Sequence, residues 1–163
     1  IPCLFLHLPS SDHMSIHEAT KLVRKMLAHM LYKPSIQVAA GMFLSENGFL
    51  AMKRGEGEPK SGKWEFPGGK IEANETPEAA LLRELSEELK IEAKIIKKLG
   101  VWQHTYPFLH VEIHGFFVES SQFEAMQLTV HSEMKWISSL EDLDLDWLEA
   151  DIPIVEDLLK MNY

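Results

Sequence analysis

The sequence predicts an α/β domain with a helical extension at its N-terminus, and three observations point that way. They are a β-hairpin pattern over residues 36–53, a well-capped amphipathic helix after Thr76, and strand-like segments around 95–104 and 109–118, the second partly alternating. At 163 residues and 45% hydrophobic, the chain is long enough to bury one sizeable core. No linker or internal repeat interrupts it, so residues 1–33 are read as the extension and 34–163 as the domain.

In the extension, Ser15, Ile16, His17 and Glu18 resemble a capping box. Ile16, Ala19, Leu22, Val23, Met26, Leu27, Met30 and Leu31 then keep helical spacing up to Pro34. This helix is read as a packing element, with a dimer contact as the alternative. The chain opens on Ile rather than Met. Residues 1–13 are therefore read as added or processed sequence, with Met14 as a candidate native start; the apolar front lacks the basic leader of a secretion signal.

Strands follow at 36–45 and 48–53, joined by the turn signal Glu46, Asn47, Gly48. The loop over 55–62, rich in Gly, Glu and Lys, is expected to be mobile. Thr76 suits the cap of the next helix, Pro77 its first position and Glu78 its first turn. Leu81, Leu82, Leu85 and Leu89 form the stripe that fixes this helix to a core. Val111, Ile113 and Phe116 mark the second of the later strands, and a short strand is expected over 134–137. Asp151 before Ile152 and Pro153 reads as the N-cap of a last helix over 152–160.

The helix after Thr76 carries the chemistry. Glu84, Glu87 and Glu88 stand at i, i+3 and i+4 and so share one face. Like charges at this spacing repel, by a few tenths of a kcal/mol per pair, unless a cation sits among them. Convergent carboxylate oxygens suit Mg²⁺ or Mn²⁺, hard ions that bridge to phosphates. Arg83 can orient these carboxylates, and Gly68 with Gly69 can bring a backbone carbonyl to the same ion. The alternative is a solvated acidic face.

Gly69, Glu75 and the run Arg83, Glu84, Leu85, Ser86, Glu87, Glu88 resemble the signature of the Nudix hydrolases. The segments over 36–54, 64–70 (WEFPGGK) and 146–158 (DWLEADIPIVEDL) resemble the MutT branch of that family. The resemblance implies an αβα sandwich around a mixed sheet and hydrolysis within a nucleoside diphosphate linked to another group. It implies Glu84, Glu87, Glu88 and the Gly69 carbonyl as ligands of Mg²⁺, with Mn²⁺ as a substitute. Arg83 with Glu75 would form a supporting pair, and Arg54 and Lys70 would contact phosphates. By this resemblance the loop over 55–62 lies near the substrate.

Three positions depart from the family pattern. Lys90 stands where a Gly ends the helix, in a left-handed position where Lys costs about 1 kcal/mol. Val130 stands where relatives often carry a Glu that serves the metal or the base; Glu133, Glu124 or the helix cluster alone would have to suffice. Asp151 stands where relatives that remove 8-oxo-dGTP carry an Asn that reads the base. An ionised Asp there could accept from cytosine or guanine amino groups.

The implied activity is that of a nucleoside triphosphate pyrophosphohydrolase yielding (d)NMP and pyrophosphate, with nucleotide-pool cleaning of 8-oxo-dGTP favoured as a DNA-repair role. CTP or 5-methyl-dCTP comes next, then nucleoside diphosphate sugars or RNA 5′ ends. A non-catalytic nucleotide-binding module is kept open by Val130. Composition narrows the partners. A net charge of −9 argues against a standing nucleic-acid partner, whereas a triphosphate carried as its Mg²⁺ complex meets less repulsion. The lone Cys3 fits a reducing cytoplasm, and no apolar run suggests a membrane. A monomer or homodimer is expected. His104, His110, His114 and His131 lack the spacing of a zinc site, and Trp64, Phe66, Trp102 and Phe108 could stack on a base or fill the core.

Overall fold

The computed structural model describes residues 15–161. Residues 1–13, with Cys3, and the candidate start Met14 lie outside the described residues. One compact unit runs to Lys33 and a second begins at Pro34. In the first, α1 (Ile16–Leu31) starts with the expected capping box. Glu18 Oε2 accepts from the Ser15 N–H at 2.9 Å, and the Glu18 N–H donates to Ser15 Oγ at 3.2 Å.

The second unit is built on seven strands: β1 (Ser35–Ser45), β2 (Gly48–Arg54), β3 (Trp64–Glu65), β4 (Gly68–Lys70), β5 (Lys94–Tyr106), β6 (Leu109–Glu119) and β7 (His131–Ile137). The long strand β1 organises them. It runs parallel to β6 from Ser35 to Phe43 and takes β4 antiparallel across Val38, Ala39 and Ala40. Its last two residues turn into the hairpin with β2. β2 in turn pairs with β3 and β7, and β5 closes onto β6, which gives a mixed sheet.

Side-chain alternation along β1 and β2 separates two cores. Ala39, Phe43, Leu50 and Met52 face α2 (Pro77–Leu89), meeting Ala80, Leu81, Leu85 and Leu89. Ala40, Met42, Phe49 and Ala51 face α3 (Ile152–Lys160), meeting Ile154, Val155 and Leu158. The result is a helix on each face of the sheet, the expected αβα sandwich. Gly41 lets α2 lie close, since a Cβ there would stand 3.3 Å from Leu81 Cδ1.

The structure corrects three local expectations. Leu82 is 38% exposed and leaves the packed stripe to Leu81, Leu85 and Leu89. β7 begins at His131 rather than at 134; its polar start is held by pairing with β2, which no local pattern announces. Asp151 makes no side-chain cap to α3; its carbonyl accepts from the Ile154 and Val155 N–H groups while its carboxyl accepts from the Phe66 N–H. In the loop over 55–62, Lys60 Nζ reaches Glu149 Oε2 at 2.9 Å.

Candidate active site

α2 presents its acidic face from a firm base. Thr76 Oγ1 accepts from the Ala79 N–H at 3.2 Å, Pro77 opens the helix, and Lys90 closes it in the left-handed region at φ 56°. Next to this face, β4 brings Gly68 and Gly69 against β1. Gly68 has φ +142°, and a Cβ there would run into the Ala39 carbonyl. At Gly69 a Cβ would overlap the Glu84 carboxyl, so glycine is what allows the loop backbone and this carboxylate to share one spot.

Arg83 ties the cluster together. Its Nε and Nη2 donate to the two oxygens of Glu75, each at 3.0 Å, and Nη2 also reaches the Lys70 carbonyl at 3.0 Å. Its Nη1 donates to Glu84 Oε1 at 2.8 Å and to Glu87 Oε2 at 3.4 Å. This fork joins the β4 loop to the helix, the supporting role expected of the Arg83 and Glu75 pair. Arg83 holds the Glu75 carboxyl below its ordinary range. Glu87 remains 62% exposed at its side chain.

Glu88 faces inward. Its Oε2 is buried without a hydrogen-bond partner. Burial pushes its carboxyl up to about 7; His131 and the Gly68 N–H pull it down, while the charges of Glu84 and Glu65 add to the rise. Among the described residues no three carboxylates or imidazoles converge on one point, since Arg83 draws Glu84 and Glu87 toward itself. The donor set still fits a hard divalent ion: all-oxygen side chains, a glycine cradle against Glu84, and one orphaned carboxylate oxygen.

A cavity of about 360 Å³ opens beside this cluster. Gly69, Lys70 and Glu88 line it together with Phe66, Tyr106, Leu148 and Asp151 and with apolar side chains of β1 and β6. Lys60, over the Tyr106 ring at 3.9 Å, and Pro59 reach it from the loop over 55–62. Asp151 is 5% exposed and accepts from the Phe66 N–H at 3.3 Å. Burial, with the charge of Glu65, pushes it up to about 8, against the pull of Phe66, Arg54 and Lys60, which favours the protonated form at pH 7. A neutral carboxyl both donates and accepts, which replaces the acceptor-only role expected of an ionised Asp151.

Other expected residues fall as follows. Arg54 lines the cavity but is held by Glu65, donating from Nη1 to both carboxylate oxygens at 2.8 and 2.7 Å. Val130 uses its carbonyl to accept from the Gly55 N–H. Glu133 pairs with Lys53 at 3.4 Å, Glu124 is exposed, and neither lines the cavity. Trp64 and Phe66 are core, Trp102 donates to Asp157, and Phe108 is 80% exposed.

The sequence reading did not single out Glu65 and named His131 only to set zinc aside; both are buried, with His131 Nε2 3.0 Å from Glu65 Oε1. The signal was an acid between Trp64 and Phe66, in a segment too apolar to leave a carboxylate unpaired.

Comparison with known proteins agrees with this fold. The family model described as NUDIX domain matches residues 35–158. The chain is 40% identical over 90 residues to an 8-oxo-dGTP diphosphatase of Proteus vulgaris, covering 55% of the chain and 80% of that protein. It is 31% identical over 127 residues to a CTP pyrophosphohydrolase of Escherichia coli (strain K12), covering 78% and 93%. Among solved structures, the E. coli ORF135 protein superposes with a TM-score of 0.63 at 30% identity, covering 76% of this chain and 88% of that one. A MutT protein from Methanosarcina mazei Go1 gives 0.65 at 25% identity, covering 78% and 95%.

Proposed function

The chain belongs to the Nudix family, and from that premise we infer that it is a Mg²⁺-dependent nucleoside triphosphate pyrophosphohydrolase that releases (d)NMP and pyrophosphate. The observation that carries this reading is one cavity lined both by Gly69 and Glu88 and by the buried Asp151 with Phe66, Leu148 and Tyr106. A triphosphate would lie with its phosphates at Gly69 and Glu88 and its base at Asp151.

Glu84, Glu87, Glu88 and the Gly69 carbonyl would hold the cation, with Mn²⁺ able to replace Mg²⁺. When bound, the ion neutralises phosphate oxygens and favours attack of water on the β-phosphorus. Arg83 and Glu75 keep the β4 loop and the helix in register for this. Lys70, on the cavity wall, supplies a positive charge for phosphate oxygens. Arg54 is committed to Glu65, so its phosphate contact would come from the remaining face of its guanidinium. The pyrophosphate leaves with the water oxygen, and the nucleoside monophosphate keeps the bridging oxygen.

At the other end a neutral Asp151 matches a base edge with a donor beside an acceptor. Guanine offers N1–H and O6, and cytosine offers its amino group and N3. 8-oxo-dGTP is the favoured substrate, in nucleotide-pool cleaning, supported by the diphosphatase relatives. CTP or 5-methyl-dCTP is the second reading, favoured by the relative that matches over 93% of its own length. Incubating a panel of normal, oxidised and sugar-linked nucleotides with Mg²⁺ and identifying products by mass tests both. Release of pyrophosphate from 8-oxo-dGTP above all others supports the first. Hydrolysis of sugar-linked nucleotides alone, or of nothing, would overturn the assignment.

A further inference from the structure

Beside the acidic helix face lies a second polar group that the family signature does not contain. In the β2 and β7 register Arg54 stands opposite His131, at a bulge between Lys53 and Arg54, and β3 puts Glu65 opposite Met52 two residues earlier. Three side chains from three strands therefore meet. Glu65 receives three hydrogen bonds: two from Arg54 Nη1, at 2.8 and 2.7 Å, and one from His131 Nε2 at 3.0 Å. His131 meets the carboxylate through Nε2, while its Nδ1 is buried without a hydrogen-bond partner, so the ring faces Glu65 through one nitrogen.

This arrangement is expensive to keep as mere packing. A buried ion pair is often no better than well-packed apolar residues, and both neighbours of Glu65, Trp64 and Phe66, are core aromatics. What the charge gains is position. Glu65 lines the same cavity as Gly69 and Glu88, close enough for its charge to act on Glu88. Its Oε2 takes only one of the three hydrogen bonds and keeps acceptor capacity. The side chain of Val130, the neighbour of His131 in sequence, has no polar atom to offer.

We propose that Glu65, clamped by Arg54 and His131, is a fourth carboxylate of the cation site, filling the role that Val130 cannot, and that His131 is a positioning residue acting through it. This rests on the functional reading above, since it concerns the same site. Outer partners that orient a metal-facing group are worth about 10- to 100-fold in metal affinity when removed.

The test is a titration of Mn²⁺ alone, followed by the electron paramagnetic resonance of the free ion, so no turnover is needed. Glu65→Gln, which keeps the shape and an acceptor for Arg54, weakens Mn²⁺ binding about 10-fold or more. His131→Phe does the same through loss of the donor, whereas His131→Gln, whose amide can replace Nε2–H, stays near wild type. The double variant Glu65→Gln/His131→Phe binds no worse than Glu65→Gln alone, because the histidine acts through the glutamate. Wild-type affinity in Glu65→Gln, or additive losses in the double variant, would overturn the proposal. If His131→Phe fails to fold, Glu65→Gln alone decides it. Wild-type protein that binds no Mn²⁺ would sink the functional reading as well, whereas equal binding by wild type and Glu65→Gln sinks only this inference.

Discussion

Replacing Asp151 with Asn isolates the burial of one carboxyl group. Asn keeps the carbonyl oxygen that accepts from the Phe66 N–H, and puts an amide donor where the neutral acid has its O–H. The wild-type group moves from 3.8 to about 8 on folding, with burial as the main cause. Between those two values the folded chain holds a proton that the unfolded chain has released. Stability therefore falls as pH rises through that window, by up to about 1.4 kcal/mol per pH unit, and levels off above it. Asn does not titrate and escapes this loss. From pH 5 to pH 7 the variant should gain on wild type by roughly 2.6 kcal/mol, which for a chain of this size is a relative Tm shift of about 5–10 °C. Thermal melts of both proteins at pH 5, 6, 7 and 8 read this directly. Parallel curves would refute the neutral-acid assignment. Activity gives a second readout: the KM of wild type for its preferred nucleotide should rise above pH 8 as Asp151 ionises, while the Asn variant stays flat.

The other predictions concern the acidic helix and its borders. Glu88→Gln or Glu87→Gln should lower turnover by several orders of magnitude in a steady-state assay while circular dichroism stays unchanged; near-normal rates would remove those residues from the cation site. Gly69→Ala should lose activity and about 1–3 kcal/mol of stability, because the new methyl group meets the Glu84 carboxyl, and a wild-type urea midpoint would show that the loop simply moves away. Lys90→Gly should stabilise by about 0.5–1 kcal/mol at the left-handed helix end, an effect seen as a higher denaturation midpoint with unchanged kcat.

What could be read from the chain depended on whether the information was local. α2 declared itself through Thr76, Pro77 and its leucines, and β1, β2, β5 and β6 through their apolar patterns and the Asn47, Gly48 turn. β3 and β4, of two and three residues, have no period to detect and exist only by pairing with β2 and β1. The start of β7 was hidden for the same reason. At the site, spacing on one helix gave Glu84, Glu87 and Glu88, and the family signature linked Arg83 to Glu75. Glu65, Arg54 and His131 come together across three strands, so their contact lies in the register and not in any segment. Asp151 was read both as a cap and as a base contact, because its sequence context suits the first and its place in the family pattern the second. The side-chain cap is absent because the carboxyl is buried and accepts from Phe66, and burial is a tertiary property.

The central claim is that this fold directs water onto the β-phosphorus of a nucleoside triphosphate. Hydrolysis in ¹⁸O-labelled water with Mg²⁺, followed by mass analysis of both products, tests it most directly. The label should appear in pyrophosphate, with unlabelled nucleoside monophosphate. Label in the monophosphate, or release of inorganic phosphate in place of pyrophosphate, would contradict the account.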